Sequence, residues 1–430
     1  MLDSHIRPVT VALPTLGCKA NRYDSDVLAR ALIARGYVIV PPDQAADIYI
    51  VNTCTVTAGA DAKSRKLLRR AVRTSAEATV IVTGCAASLR PEQLAEIGGV
   101  SAVVPLTEQP SIPDLLVRLR PPTVIARDQS LAPGLSASIE RTRATVKVQD
   151  GCDRRCAYCA VTLARGNPRS RPQAEVLTEL RDLAQGGIKE IVLTGIRLDA
   201  YGIDREGDSL AALLDATQAL HIPRLRLSSL EPIGITPQLV ESLAAHPTLC
   251  RHFHLCLQSG DDQVLRAMRR GYTGEQYREM ISALRGAMPD ATFTTDVIVG
   301  FPGETDEAFA HTCALVAEVG FIKLHVFKFS PRPLTEAATL SGQLAPSVKD
   351  ARSQALMALE RESFQAYALR QLGTRVSVLV ERRGLHGDGL TPHYLRVCAP
   401  FTPAMEGEIV PVTVSGVGES CLFGKLRNEG

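Results

Sequence analysis

The feature that most constrains this chain is the stretch Gly151-Cys152-Asp153-Arg154-Arg155-Cys156-Ala157-Tyr158-Cys159, which follows the alternating apolar run Thr145-Val146-Lys147-Val148. Three cysteines at C-x3-C-x2-C spacing, with no fourth close by, cannot complete an ordinary four-cysteine cluster. Thiolates are soft, strongly donating iron ligands. A cubane iron–sulfur cluster held by three of them leaves one iron open, where a small molecule can chelate and be chemically attacked. The competing readings are a zinc knuckle or three unrelated thiols. Zinc usually takes an even number of ligands from paired C-x2-C or C/H groups, and no histidine stands at the right spacing.

A chain of 430 residues is too long for one ordinary domain and predicts two or three. With 45% hydrophobic and 22% charged residues it buries real cores and is not a disordered chain. A formal net charge of +2 gives no global field, so nucleic-acid contact has to come from local patches. No run of about eighteen apolar residues occurs, and Met1 to Pro8 lacks the apolar core of a signal peptide. The expectation is a cytoplasmic, monomeric protein with no membrane contact. Eleven cysteines in such a chain read as thiols kept reduced for metal or chemistry, not as a disulfide framework.

The first 120 residues alternate strand-like and helix-like segments. Val9 to Leu16 runs into Gly17-Cys18, Asp47 to Thr53 into Cys54, and Thr79 to Gly84 into Cys85. Strands buried in a parallel sheet read as continuous apolar runs, and their carboxyl ends gather along the edge where ligands bind. Cysteines far apart in sequence are thus expected to converge in space, against the alternative of three buried structural cysteines. Between Cys54 and Cys85, Lys66, Arg69, Arg70 and Arg73 fall at i, i+3, i+4 and i+7, with Lys63 one turn earlier. Such a basic stripe suits a phosphate backbone, and a merely solvated helix face is the plain alternative. Residues 120–140 have linker composition.

From about residue 141 a second alternation predicts strands near 144–149, 188–194, 223–229, 251–258, 292–299 and 322–329. Six βα units suggest a partial barrel of parallel strands with its active face at the strand carboxyl ends. Polar residues recur there: Thr194-Gly195, Ser228-Ser229 with Glu231, Gln258-Ser259-Gly260, Asp296, and Ser330 to Pro333. After a helical stretch from Ser347 to Gln371, short alternating strands split by glycine-rich turns predict a small β-barrel over 372–430. Arg375, Arg382, Arg383, Arg396, Lys425 and Arg427 give it a basic character suited to RNA, with a packing module as the alternative.

Over essentially its full length the sequence resembles the radical S-adenosylmethionine methylthiotransferases. The resemblance rests on TLGCKANRYDSD (15–26), VNTCTVTAGADAKSR (51–65), TGCAAS (83–88), DGCDRRCAYC (150–159), LSSLEP (227–232), HLCLQSGDDQVLRAMRRGYT (254–273), DVIVGFPGET (296–305) and HVFKFSPRP (325–333). The tail looks like the RNA-binding TRAM module. The resemblance implies an α/β chain of three parts. An open parallel-sheet domain spans 8–120, a partial (β/α)6 radical SAM barrel 141–370, and a small all-β barrel 372–430. It implies two [4Fe–4S] clusters. Cys152, Cys156 and Cys159 would hold the one that chelates S-adenosylmethionine, and Cys18, Cys54 and Cys85 an auxiliary one that carries or donates sulfur. Thr194, Gly195, Ser228, Ser229, Gln258 and Asp296 are the residues expected around S-adenosylmethionine, and Lys63, Lys66, Arg69, Arg70, Arg73, Arg382 and Arg383 those expected to meet tRNA. No catalytic residue beyond the cluster ligands is expected, and an unidentified reductase would donate the electron.

Members of that family modify either a tRNA adenosine beside the anticodon, bearing an isopentenyl or a threonylcarbamoyl group, or an aspartate of a ribosomal protein. TLGCKxN, NTCTVT and DAKSRK are most similar to the enzymes acting on threonylcarbamoyladenosine. A rival from another class is a non-catalytic RNA-binding protein whose cysteines hold structural metal. Two departures stand out: Cys256 where the family commonly has proline, and Thr162-Leu163 in place of a common Pro-Tyr pair. Neither is a cluster ligand. Cys250, Cys256, Cys313, Cys398 and Cys421 read as structural or incidental.

Overall fold

The computed structural model describes residues 7–55, 57–74, 77–123, 142–381 and 387–426. Arg382, Arg383, Arg427 and most of the expected linker at 120–140 lie outside them. The chain divides into two compact units. One comprises Met1–Glu140, Asp150–Arg154 and Cys159–Asn167; the other comprises Arg141–Gln149, Arg155–Tyr158 and Pro168–Gly430. Among the described residues no helix is long and apolar enough to cross a membrane.

In the first unit, β1 (Thr10–Ala12), α1 (Lys19–Ile33), β2 (Val38–Val40), β3 (Ile48–Thr53), α2 (Ala58–Thr74), β4 (Thr79–Gly84), α3 (Cys85–Leu89) and β5 (Ala102–Val103) follow one another. The sheet order is β2-β1-β3-β4-β5, and every pairing is parallel. Every residue of β3 is buried, because both faces of a parallel sheet are covered. Its side chains alternate between two cores. Ile48 and Ile50 pack with Leu28 and Leu32 of α1, while Tyr49 and Val51 pack with Leu68 and Ala71 of α2. The connections from β1 and β3 therefore leave to opposite faces. In such an open sheet the crevice at the carboxyl ends of those two neighbouring strands is where ligands bind.

In the second unit the expected strands form in sequence order. Arg143–Lys147, Glu190–Thr194 and Arg224–Leu227 make one parallel sheet, and Ser229–Leu230, His252–Leu255, Thr292–Val299 and Lys323–Lys328 make another. The third expected strand is broken at Ser228. Its N–H still donates to Leu193 O at 2.9 Å, whereas Ser229 already pairs with His254, so the break is where one sheet hands over to the next. Helix Pro346–Leu369 leads to a closed antiparallel-rich barrel of Arg375–Val380, Asp388–Leu390, Arg396–Cys398, Leu422–Leu426 and Ile409–Val417. The fold class expected from sequence is the one observed.

The amino ends of the central strands carry a buried charge cluster. Glu190, fully buried, pairs with Arg226 at 2.7 Å, with Arg143 at 3.6 Å and with Arg224 at 3.7 Å. The arginines have donors to spare, and they reach the terminal barrel: Arg224 donates to Leu390 O at 2.9 Å and to Ser377 O at 2.8 Å, Arg226 to Pro392 O and Thr391 O at 3.1 Å. Tyr394 stacks on His252 with ring centroids 4.4 Å apart. Burial alone would raise the Glu190 carboxyl, but Arg226, Arg143 and Arg224 outweigh it and hold the pKa below the usual value. Removing one member of such a buried cluster strands the remaining charges. Glu190→Gln is therefore expected to cost about 3–5 kcal/mol in urea unfolding. Because the folded-state pKa lies below that of the unfolded chain, this stabilisation is complete above the unfolded pKa and fades as pH falls through the folded one. The variant should lack that component of acid destabilisation, and an unchanged unfolding midpoint would refute the assignment.

Candidate active site

Three cysteines stand at the carboxyl ends of three adjacent strands of the first unit. Cys18 caps α1 after β1, Cys54 directly follows β3, and Cys85 opens α3 directly after β4. The turns are tight enough to require glycine. At Gly17 (φ +107) an added Cβ would sit 2.9 Å from Cys54 Cβ and 3.0 Å from its Sγ. At Gly84 (φ +98) it would sit 2.4 Å from both Asn52 Oδ1 and Thr53 O. Asn21, fully buried, ties the turns together. Its Nδ2 donates to Leu16 O at 2.8 Å and to Thr53 O at 2.9 Å, and its Oδ1 accepts from Cys85 Sγ at 3.7 Å. Asn52 Nδ2 donates in turn to Asn21 O at 2.8 Å. Burial pushes the Cys85 thiol up to about 11, and the neighbouring thiols of Cys18 and Cys54 add to this while Arg165 opposes it. Cys54 and Cys85 are buried and Cys18 is exposed beside them; buried thiols clustered in this way are costly to ionise without a cation, which is the donor set a metal cluster satisfies. Asn52 Oδ1 and Thr83 Oγ1, on the same strands, are buried with no hydrogen-bond partner among the described residues.

Arg165 connects this edge to the cysteine loop. It ends the short helix Val161–Arg165 that follows Cys159, and its side chain is 1% exposed. It pairs with Asp24 at 2.9 Å and Asp150 at 2.8 Å, and its Nη2 donates to Asn21 Oδ1. In the loop, Cys152 N–H donates to Gly166 O at 2.9 Å, and Gly151 (φ +73) has Asn167 O 2.0 Å from where its Cβ would be. Thr162, one of the departures from the family pattern, donates to Arg154 O at 2.8 Å and so braces the loop; Leu163 is exposed. Each loop sulfur accepts an N–H at 3.4 Å: Cys152 from Arg154 N, Cys159 from Val161 N, and Cys156 from Arg270 Nη1. Donors aimed at sulfur favour thiolates and tune iron–sulfur centres.

Arg270 is absent from the site residues expected from the sequence, although the sequence singles out its partners Cys156, Glu231 and Cys256. It is 3% exposed. It forms a short ion pair with Glu231 and donates to Cys256 O at 3.1 Å and to Tyr272 Oη at 3.2 Å. Nothing in RRGY distinguishes it from a solvated arginine, because apart from Tyr272 its partners are 14 to 114 residues away.

The residues expected around S-adenosylmethionine all belong to the second unit. Thr194 ends its strand and is buried. Gly195 leaves room for Gln149, whose Oε1 lies 2.9 Å from the position of an added Cβ. Ser228 sits at the strand break with its Oγ buried and without a partner among the described residues, and Ser229 begins the next strand. Gln258 (φ +66) donates its N–H to Asp296 O at 2.8 Å. Asp296 lies within strand Thr292–Val299 and not at its end, and its carboxylate faces His254.

A family model described as the Radical SAM superfamily matches residues 146–316, and one described as Uncharacterized protein family UPF0004 matches 10–105. The chain is 35% identical to the threonylcarbamoyladenosine tRNA methylthiotransferase MtaB of Bacillus subtilis, over 95% of this chain and 94% of that one. It is 36% identical to the protein of the same name from Thermotoga maritima, over 95% of each. The chain belongs to the radical S-adenosylmethionine methylthiotransferase family. It is an enzyme of the transferase class. Solved structures share the fold at low identity. The radical S-adenosylmethionine methyltransferase TsrM from Kitasatospora setae superposes with a TM-score of 0.57 at 18% identity, covering 77% of each chain. The cobalamin-dependent radical enzyme OxsB gives 0.53 at 12%, covering 84% of this chain and 57% of that one.

Of the basic residues expected to meet RNA, Lys63, Lys66, Arg69, Arg70 and Arg73 are all exposed on α2, opposite the buried Ser64, Leu68 and Ala71. None of the five forms an ion pair among the described residues. Arg396 differs from expectation. Asp388 and Glu381 engage it, so its charge is neutralised within the barrel. Arg375 and Lys425 remain exposed, both opposite Thr413, with exposed Phe423 nearby.

Replacing Arg165 by Met should strand Asp24 and Asp150 and lower stability by about 3–5 kcal/mol, read from chemical denaturation of the metal-free chain. A loss below about 1 kcal/mol, typical of exposed pairs, would show that the guanidinium is not the tie described.

Proposed function

We propose that this enzyme inserts a methylthio group at C2 of N6-threonylcarbamoyladenosine, next to the anticodon of tRNA. The observation that carries the reading is the pair of cysteine triads. One stands at the carboxyl ends of β1, β3 and β4; the other is the loop whose sulfurs each accept an N–H. A structural site would normally be closed by four protein ligands, whereas two incomplete triads leave two open positions. The names of the relatives point to the same substrate.

Two [4Fe–4S] clusters and S-adenosylmethionine, when bound, supply the electron, the radical and the sulfur that acid–base side chains cannot provide for an unactivated aromatic C–H. Cys152, Cys156 and Cys159 hold one cluster, and Cys18, Cys54 and Cys85 the other. Arg270 places a guanidinium against Cys156 Sγ, which stabilises the thiolate. Ser228 fits a small polar ligand, since its buried Oγ has no partner among the described residues. Arg165 binds the helix after Cys159 to Asn21, the residue that braces the turns carrying Cys18 and Cys54. The basic face of α2 and the Arg375, Lys425 and Phe423 surface supply phosphate contacts and a stacking ring for a tRNA strand.

Deleting the gene in its host should remove the 2-methylthio group from threonylcarbamoyladenosine, as read by nucleoside mass spectrometry. An unchanged nucleoside profile with loss of a mark on a ribosomal protein would overturn the substrate. In the purified enzyme, Cys152→Ala should abolish cleavage of S-adenosylmethionine, whereas Cys18→Ala should spare cleavage and stop sulfur insertion; equal loss of cleavage in both would refute the division of labour. Replacing Lys66, Arg69, Arg70 and Arg73 together by Ala should weaken tRNA binding and flatten its salt dependence by roughly 0.7–0.9 in log–log slope per phosphate contact removed.

A further inference from the structure

Cys256, set aside from sequence as structural or incidental, does not stand alone. Strand His252–Leu255 pairs in parallel with Thr292–Val299, His254 opposite Thr294. His254 and Cys256 are two residues apart along their chain, and Asp296 is two residues beyond Thr294, so all three project to the same side. One ligand atom of each lies within 4.8 Å of the others: His254 Nε2 is 3.2 Å from Asp296 Oδ1, and Cys256 Sγ is 4.0 Å from Asp296 Oδ2. Tetrahedral bonds of about 2.0 Å to nitrogen or oxygen and about 2.3 Å to sulfur separate the ligand atoms of a one-sulfur set by about 3.3–3.5 Å. The observed spacings bracket that range. The imidazole is also oriented as a ligand requires, because Thr294 Oγ1 holds its Nδ1 at 3.0 Å and leaves Nε2 facing the carboxylate. Each backbone nearby is committed: Cys256 O accepts from Tyr272 Oη at 2.8 Å, and Cys256 N–H donates to Leu230 O at 3.3 Å, so the thiol is held in place.

We propose that His254, Cys256 and Asp296 bind a divalent metal of zinc type, at a site distinct from both cysteine triads. One nitrogen, one sulfur and one carboxylate form the borderline-soft, three-ligand set that suits zinc better than magnesium or calcium, and it leaves a fourth position open for water or a small anionic ligand. His325, opposite Asp296 on the next strand, flanks that position with its ring 5.5 Å from the ring of His254. None of its ligands belongs to either triad, and only Asp296 is shared with the residues expected around S-adenosylmethionine, so zinc binding can be read separately from sulfur insertion.

The test uses the anaerobically reconstituted protein with its iron in place, given zinc and passed through a desalting column. Elemental analysis should find one zinc per chain beyond the iron, and zinc X-ray absorption should show one sulfur at about 2.3 Å with the remaining ligands nitrogen or oxygen. Cys256→Ala and Asp296→Asn should weaken zinc binding about 100-fold or more against a chromophoric indicator, with iron content and circular dichroism unchanged. Cys256→His, which restores a ligand, should recover most of the affinity. Equal zinc binding by wild type and Cys256→Ala, no zinc in either, or a shell of three sulfurs drawn from a cluster triad would overturn the proposal.

Discussion

One buried guanidinium holds the edge of the first unit together. Arg165 is surrounded by Asp24, Asp150 and Asn21, and the Cys85 and Cys18 sulfurs lie close enough to act on its charge. Taking an arginine out of water is tolerable only when carboxylates and amide oxygens meet its charge, and here Asp150 meets Nη1 while Asp24 and Asn21 meet Nη2. Asn21 then relays that support to the turns after β1 and β3. The position of each sulfur thus follows from a hydrogen-bond network as much as from the strands that carry it.

The second unit repeats the strategy at the opposite ends of its strands. Glu190, Arg143, Arg224 and Arg226 fill the amino-terminal mouth of the partial barrel, and the arginines use their remaining N–H groups on the carbonyls of residues 390 to 392 and of Ser377. This mouth is closed by charge and by the stacked Tyr394, while Thr194, Ser228 and Gln258 stand toward the carboxyl ends of the strands. The terminal barrel is therefore fixed to the central strands by buried polar contacts, and its exposed Arg375, Phe423 and Lys425 keep a set orientation relative to that barrel.

Much of this was legible from the chain alone, for physical reasons. Parallel strands buried on both faces read as short apolar runs, so β3, β4 and most of the central strands are visible in Ile48–Thr53, Thr79–Gly84 and their counterparts. The stripe on α2 is visible because exposed and buried helix positions repeat with a fixed period. Arg226 was not legible, because in RLRL an arginine at an alternating position looks solvent-facing, whereas the inside of a partial barrel is the face it occupies. Arg396 counted as free charge until its carboxylate partners came into view.

By itself the sequence determined which segments are strands, that cysteines follow them, and how the fold class comes out, since all of these are set by local pattern. Only the tertiary structure decided which charges are spent and which remain free, because the partners are distant in the chain: 141 residues separate Arg165 from Asp24, 114 separate Arg270 from Cys156, and 166 separate Arg224 from Leu390. It also turned Cys256 from an incidental thiol into a neighbour of His254 and Asp296. Burial multiplies the worth of a polar contact, and which polar groups are buried is a property of the packed strands that no local pattern carries.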